Sequence, residues 1–205
     1  HQDVMREIWS VPNKYDKVEC PEKGTVVEET YLTYHYATNK EESIEKTCYV
    51  YLPYDYDNSK QYNIIYLLHG TGDDEKYWLV ENPYNVTMID NLIYYGDIDP
   101  VIVVTPTWYV ANDCADDLDQ LTYSFKDELR NDLMPYIETK YSTYAGIIGR
   151  ENNQSFTEEF IASRDYRAFC GLSRGAVTMY HSGLCNSLDY FSYFGAFSGS
   201  RTGKE

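Results

Sequence analysis

Three short stretches, Asn63–His69 (NIIYLLH), Pro100–Pro106 (PVIVVTP) and Tyr166–Leu172 (YRAFCGL), are almost continuously apolar. A strand with one wet face alternates apolar and polar side chains, so runs of this kind call for cover on both faces, as in a parallel sheet. Helical patterns separate them. Val86, Ile89 and Ile93 lie at helical spacing within Val86–Tyr95, and Gly96 follows as a stop. Phe125, Leu129, Leu133, Ile137 and Tyr141 recur every four residues along Ser124–Tyr141, where Ser124 and Asp127 read as a capping box. Pro135 should bend or split that helix. Gly146–Ser163 reads as a polar surface connection with a short helix near Thr157–Ile161, Gly175–Leu184 as a further helix, and Phe191–Phe197 as a last strand. Strand and helix thus alternate from residue 63 onward, which predicts an α/β fold around a mostly parallel sheet. Thr25–Tyr36 and Lys46–Pro53, rich in β-branched and aromatic residues, supply its antiparallel edge.

The 205 residues suit one domain spanning residues 1–205. Asp and Glu number 33 against 17 Lys and Arg, a net charge of −16. Such a field repels polyanions and argues against a nucleic-acid or anionic-membrane partner. No apolar run approaches the ~18 residues of a membrane span. The polar N-terminus (HQDVMREIW) has no apolar core, so any secretion leader is already removed or was never there. Cys20, Cys48, Cys114, Cys170 and Cys185 form no C-x-x-C pair, so no metal site is expected; the odd count leaves a free thiol, and Cys170 should simply pack. Disulfides among the others stay open. The acidic runs at 73–75 and 113–119 match no EF-hand spacing and read as solvated charge. The 23 tyrosines read as a compositional habit.

The strongest chemical signal is Gly171-Leu172-Ser173-Arg174-Gly175, placed between an apolar strand and a helix of small residues. A nucleophilic serine on a strand-to-helix turn needs glycines on both sides, because the turn is strained and the helix must come close to the strand. The amide of Arg174, opening the helix, faces the place where an oxyanion would form. His69-Gly70-Thr71-Gly72 follows a buried strand, and the Thr71 amide is the candidate for the second oxyanion donor. His69 is expected to hold this loop by a hydrogen bond rather than to act as a base. His181, eight helical residues past Ser173, lies ~12 Å along the axis and out of reach. Trp78, Trp108 and Tyr109 fall at the carboxyl ends of strands, where a phenolic or sugar ring could stack; loop packing is an equal reading.

In this order, YVYLPYDYD at 49–57, YLLHGTGDD at 66–74, DPVIVVTPT at 99–107, PYIETKYSTYA at 135–145, IASRDYRAFCGLSRGA at 161–176 and YFGAFSG at 193–199 resemble carbohydrate esterases of family one, the feruloyl and acetylxylan esterases. The resemblance runs from about Lys46 to Gly199. It implies an α/β-hydrolase three-layer sandwich with Ser173 as nucleophile, Thr71 and Arg174 amides as the oxyanion hole, and His69, Gly70, Gly171 and Gly175 in support. No cofactor is implied. Arg174 departs from the family, whose members commonly carry Met there. The family's acid and histidine lie later in the chain than Ser173, so the domain is expected to be incomplete at its C-terminus, with a second chain or segment supplying both. The implied activity is removal of feruloyl groups from plant cell-wall arabinoxylan, in an extracellular setting because polymeric xylan lies outside the cell. An acetylxylan esterase and a non-catalytic carbohydrate-binding or scaffold module are the alternatives.

Overall fold

The structure, a computed structural model, describes residues 10–110 and 117–199. A short helix α1 (Asn13–Asp16) precedes strands β1 (Thr25–His35), β2 (Asn39–Leu52) and β3 (Asn63–Leu68). Helix α2 (Tyr84–Tyr94), strand β4 (Val101–Thr105), helices α3 (Leu118–Glu128), α4 (Met134–Lys140) and α5 (Thr157–Ala162), strand β5 (Arg167–Leu172), helix α6 (Arg174–Met179) and strand β6 (Tyr193–Phe197) follow. The strands form one sheet in the order β1-β2-β4-β3-β5-β6. β3, β4, β5 and β6 run parallel, while β1 and β2 pair antiparallel and join the sheet through an antiparallel β2–β4 contact. The expected parallel core with an antiparallel N-terminal edge is therefore present.

Alternate residues of each strand feed two layers. Val50, Ile64, Tyr66, Leu68, Ile102, Val104 and Phe169 face Phe125, Leu129, Leu133, Ile137 and Met179 from α3, α4, α6 and the turn between α3 and α4. On the other side Tyr51, Val101 and Val103 meet Val86, Ile89 and Ile93 of α2. Only β4 is buried at every position. In β3 and β5 burial alternates, and the second face is half covered: Ile65, Leu67 and Cys170 border an apolar cavity of about 410 Å³ beneath α2. β6 starts later than the apolar run suggested, and Tyr193 and Phe197 at its ends are exposed.

One helix expectation needs correction and one is met. The long helix begins at Leu118, not Ser124, because the Asp117 carboxylate accepts the amides of Asp119 and Gln120 and caps it there. Ser124 is therefore mid-helix, and its hydroxyl donates to Leu121 O at 3.3 Å instead of capping. Pro135 does split the pattern: a wide π turn, Leu129–Leu133, separates α3 from α4 and places the proline in the first turn of α4, where it gives up no needed donor.

The tyrosines are more than a habit of composition. Eight of their hydroxyls donate to carboxylates, at Asp97, Glu128, Asp132, Glu28, Asp90, Glu138 and, twice, Glu29. Cys20, Cys48, Cys170 and Cys185 are free thiols, and Cys114 lies outside the described residues, as does most of the acidic run at 113–119.

Candidate active site

Ser173 sits at the junction of β5 and α6 with φ 53° and ψ −116°, a backbone conformation that a side-chain-bearing residue adopts only where its surroundings enforce it. Those surroundings are visible at the two flanking glycines. A Cβ on Gly171 would stand 2.2 Å from the carbonyl oxygen of Gly175, and one on Gly175 would stand 2.3 Å from that of His69. β5, α6 and the end of β3 thus approach more closely than any side chain allows, and the turn between them is held. The Ser173 amide donates to Phe197 O at 2.8 Å, fastening the turn to β6. Ser173 itself stays half-buried.

The loop after β3 runs alongside. A Cβ on Gly70 would lie 3.4 Å from that of Ser173, an ordinary contact that puts the two turns side by side. Thr71 is exposed, and Gly72 takes φ 87°, a left-handed conformation suited to glycine. Among the described residues the amides of Thr71 and Arg174 have no hydrogen-bond partner, so both keep a donor to offer. The side chain of Arg174 turns instead to Asp119 at 3.0 Å.

His69 is fully engaged. It is buried, its Nδ1 lies 2.7 Å from Gly70 O, and its Nε2 lies 2.7 Å from the Thr107 hydroxyl. Burial pulls its pKa below the ordinary histidine value, against the hydrogen bond to Gly70 and the charges of Asp73 and Asp74. The neutral ring has one consistent assignment: Nδ1–H donates to Gly70 O, and Nε2 accepts from the Thr107 hydroxyl. Neither nitrogen is left to take a proton from Ser173. His35 pairs with Thr38, and the ring of His181 packs edge-on against Tyr123. No described histidine hydrogen-bonds Ser173.

The three aromatic candidates separate. Trp108 is only 1% exposed, stacks on His69, and donates its indole N–H to His69 O at 3.1 Å. Of the two readings, stacking on a ligand ring and packing, burial and this hydrogen bond support packing. Tyr109 stacks on the same imidazole, and its hydroxyl accepts the Gly72 amide at 3.0 Å. Trp78 is half-buried, donates to Leu68 O at 3.2 Å, and meets Phe197 edge-on at the rim of the apolar cavity. The sequence reading missed Thr107, whose hydroxyl ties the segment after β4 to His69, and Lys46, which donates to the Thr107 carbonyl from β2; a polar residue directly behind Pro106 was the available signal for the first.

The Esterase family model matches residues 43–202. The chain belongs to this family. A xylanase from Acetivibrio thermocellus, endo-1,4-beta-xylanase Y, is 38% identical over 181 residues, which cover 88% of this chain and 15% of that protein. An endo-1,4-beta-xylanase/feruloyl esterase from Xylanibacter ruminicola is 30% identical over 161 residues, 75% of this chain and 19% of that one. Among solved structures, a serine-to-alanine mutant of the feruloyl esterase module from Clostridium thermocellum, complexed with sinapinate, aligns with TM-score 0.72 and 36% identity, covering 90% of this chain and 56% of that one. A CE1 ferulic acid esterase from Anaeromyces mucronatus in complex with ferulic acid aligns with TM-score 0.69 and 26% identity, over 93% and 64%. The expected likeness to family-one carbohydrate esterases and the α/β-hydrolase architecture are borne out. The chain spans less than a fifth of the curated relatives it matches and under two thirds of these solved chains.

Proposed function

We propose that residues 1–205 are the nucleophile-bearing part of a serine esterase that releases feruloyl or related hydroxycinnamoyl groups from xylan, acting outside the cell. The observation that carries the reading is the left-handed, glycine-flanked Ser173 beside a loop whose Thr71 amide is unclaimed. In this mechanism Ser173 Oγ attacks the ester carbonyl and its proton goes to a histidine that lies outside these residues, oriented by an acid also outside them. The carbonyl oxygen becomes an oxyanion between the amides of Thr71 and Arg174. Collapse expels the sugar oxygen, which takes the proton back from the histidine and leaves as the hydroxyl, and water then cleaves the acyl-serine to free the acid and restore Ser173. His69 shapes the loop without exchanging protons.

The feruloyl substrate is favoured by the sinapinate and ferulic acid complexes of the related structures. Ser173→Ala in the full-length protein should abolish release of ferulate from a feruloyl ester; unchanged turnover would sink the assignment. Rates on acetyl against feruloyl model esters separate an acetylxylan esterase from this reading. The lack of a described histidine at Ser173 favours one further reading, a non-catalytic carbohydrate-binding or scaffold module. Failure of a fluorophosphonate probe to label Ser173 in the full-length protein would select it.

A further inference from the structure

The segment 107–109 is the template on which the oxyanion loop is held. Three hydrogen bonds join the two: the Thr107 hydroxyl to His69 Nε2 at 2.7 Å, the Trp108 indole to His69 O at 3.1 Å, and the Gly72 amide to the Tyr109 hydroxyl at 3.0 Å. Both Trp108 and Tyr109 also stack on the imidazole. The template itself lies past the end of β4, where the β2–β4 ladder stops at the Tyr49–Thr105 pair. Something else must hold it. Lys46, three residues before Tyr49 on β2, reaches over and donates to the Thr107 carbonyl at 2.7 Å. Its remaining two protons go to the two oxygens of Glu128, each at 2.8 Å, and Tyr31 donates to the same carboxylate at 2.5 Å. The ammonium is thus saturated by three acceptors, and the side chains of Lys46 and Glu128 are each 4% exposed. Burial pushes the Glu128 carboxyl above the ordinary carboxylate range, while the Lys46 charge and the hydrogen bonds from Lys46 and Tyr31 act against it.

We propose that the buried Lys46–Glu128 pair is a positioning element for the oxyanion hole, acting through Thr107 and His69 to fix the Thr71 amide opposite Ser173. Two features argue against a role in stability alone. A pair of well-packed apolar side chains would hold the core as well as or better than a buried ion pair. The third Lys46 proton goes to a backbone carbonyl of the segment that grips the loop. Neither residue touches substrate, so both are positioning residues, and the inference rests on the esterase reading above.

The test uses the full-length protein with Lys46→Met/Glu128→Leu, which removes both charges together and leaves neither unpaired, and with Thr107→Val and Thr107→Ser. Two measurements are made on each. Hydrogen exchange of the Gly72 amide, which donates to the Tyr109 hydroxyl, reads the hold of the segment on the loop without any need for turnover. Ester hydrolysis, normalised to the sites titrated by a fluorophosphonate, reads kcat and KM. An oxyanion donor acts in the transition state more than in the ground state, so its misplacement lowers kcat and leaves KM in place. We expect the double variant to remain folded, to exchange the Gly72 amide at least tenfold faster, and to lose about 10–100-fold in kcat with KM changed less than about twofold. Thr107→Val should show the same pattern, and Thr107→Ser, which keeps the hydroxyl, should recover most of it. Unchanged exchange of the Gly72 amide in the double variant overturns the proposal, whatever the activity. A loss of activity that vanishes on normalisation to titrated sites overturns it as well, since the pair would then serve stability alone. If the parent protein exchanges as expected but hydrolyses no ester, the esterase reading fails while the mechanical link stands.

Discussion

Gly175→Ala sets two effects of opposite sign against each other. Gly175 lies in the first turn of α6, and alanine in a helix is favoured over glycine by about 1 kcal/mol, so propensity alone predicts a more stable protein. Geometry predicts the reverse. The added methyl would stand 2.3 Å from His69 O and 2.9 Å from Leu68 O, where ordinary contact begins at 3.4 Å. Both obstructing atoms are backbone oxygens at the end of β3, and no rotamer can clear them. α6 must retreat by roughly 1 Å, the difference between 2.3 and 3.4 Å. Such overpacking costs about 1–3 kcal/mol, which exceeds the propensity gain, so net destabilisation of up to about 2 kcal/mol is expected. The retreat also carries Ser173 and the Arg174 amide away from the loop at 69–72, which in the proposed mechanism offers the second oxyanion donor. A misplacement of about 1 Å is worth about 100-fold in rate, so kcat should fall far more than the population of folded protein does. Urea unfolding gives the first quantity, and hydrolysis of a feruloyl ester by the full-length protein, normalised to titrated sites, gives the second. A variant at least as stable as the parent, with unchanged kcat, would refute the claim that this crossing sets the geometry of the turn.

Three further outcomes follow from buried groups. Arg167 spends all five of its N–H donors on Glu138, Phe160 O, Tyr190 O and Ser163, so Arg167→Met should cost about 3–5 kcal/mol in urea unfolding, and Arg167→Met/Glu138→Leu should recover much of it; equal costs for the two would contradict the pairing. Trp108→Ala should destabilise by about 3–5 kcal/mol as a core truncation, and an altered KM without loss of stability would return Trp108 to the substrate surface. His69, held neutral by burial, has its folded pKa below the unfolded value of about 6.5. Its contribution to stability is present above that value and fades as pH falls toward the folded pKa, because only the unfolded chain takes up the proton. His69→Gln should therefore flatten the decline in unfolding free energy below pH 6.5; an unaltered slope would show that His69 is not its source.

The parallel core, the antiparallel edge and the Ser173 turn were legible because each leaves a local mark: a continuous apolar run, a β-branched run, a pair of glycines about a serine. What escaped depends on contacts far apart in the chain. The helix start at Leu118 was written in Asp117, but Ser124 and Asp127, at the head of the four-residue apolar repeat, offered a competing cap; the π turn at 129–133 escaped because the repeat runs through it as if the helix were regular. Trp108 looked like a loop aromatic, and only its partner 39 residues away, the His69 carbonyl, turns it into core. The tie from Lys46 to Thr107 spans 61 residues and leaves no pattern in either segment.

The excess of acid and the excess of tyrosine have one physical explanation. With 33 carboxylates and 17 Lys and Arg, the chain cannot give each acid a cation, yet Glu29, Asp90, Glu128 and Glu138 are all buried. Each of these four accepts a tyrosine hydroxyl: from Tyr136 and Tyr141, from Tyr51, from Tyr31 and from Tyr66 respectively. A phenol satisfies a carboxylate through a charge-assisted bond worth about 1.5–3 kcal/mol and brings no second charge to desolvate. Its ring meanwhile buries as an apolar surface. Asp90 is the extreme case, held by Tyr51 at 2.6 Å and the Gly24 amide at 2.8 Å. The burden also falls on the phenols, and burial beside these carboxylates pushes the pKa of Tyr31, Tyr51 and Tyr66 upward. Tyrosine thus adds to a cation at Glu29, Glu128 and Glu138, which also pair with Lys140, Lys46 and Arg167, and at Asp90 it stands with a backbone amide where no ion pair is formed among the described residues; the buried cations there, Lys46 and Arg167, each grip a backbone carbonyl together with a carboxylate.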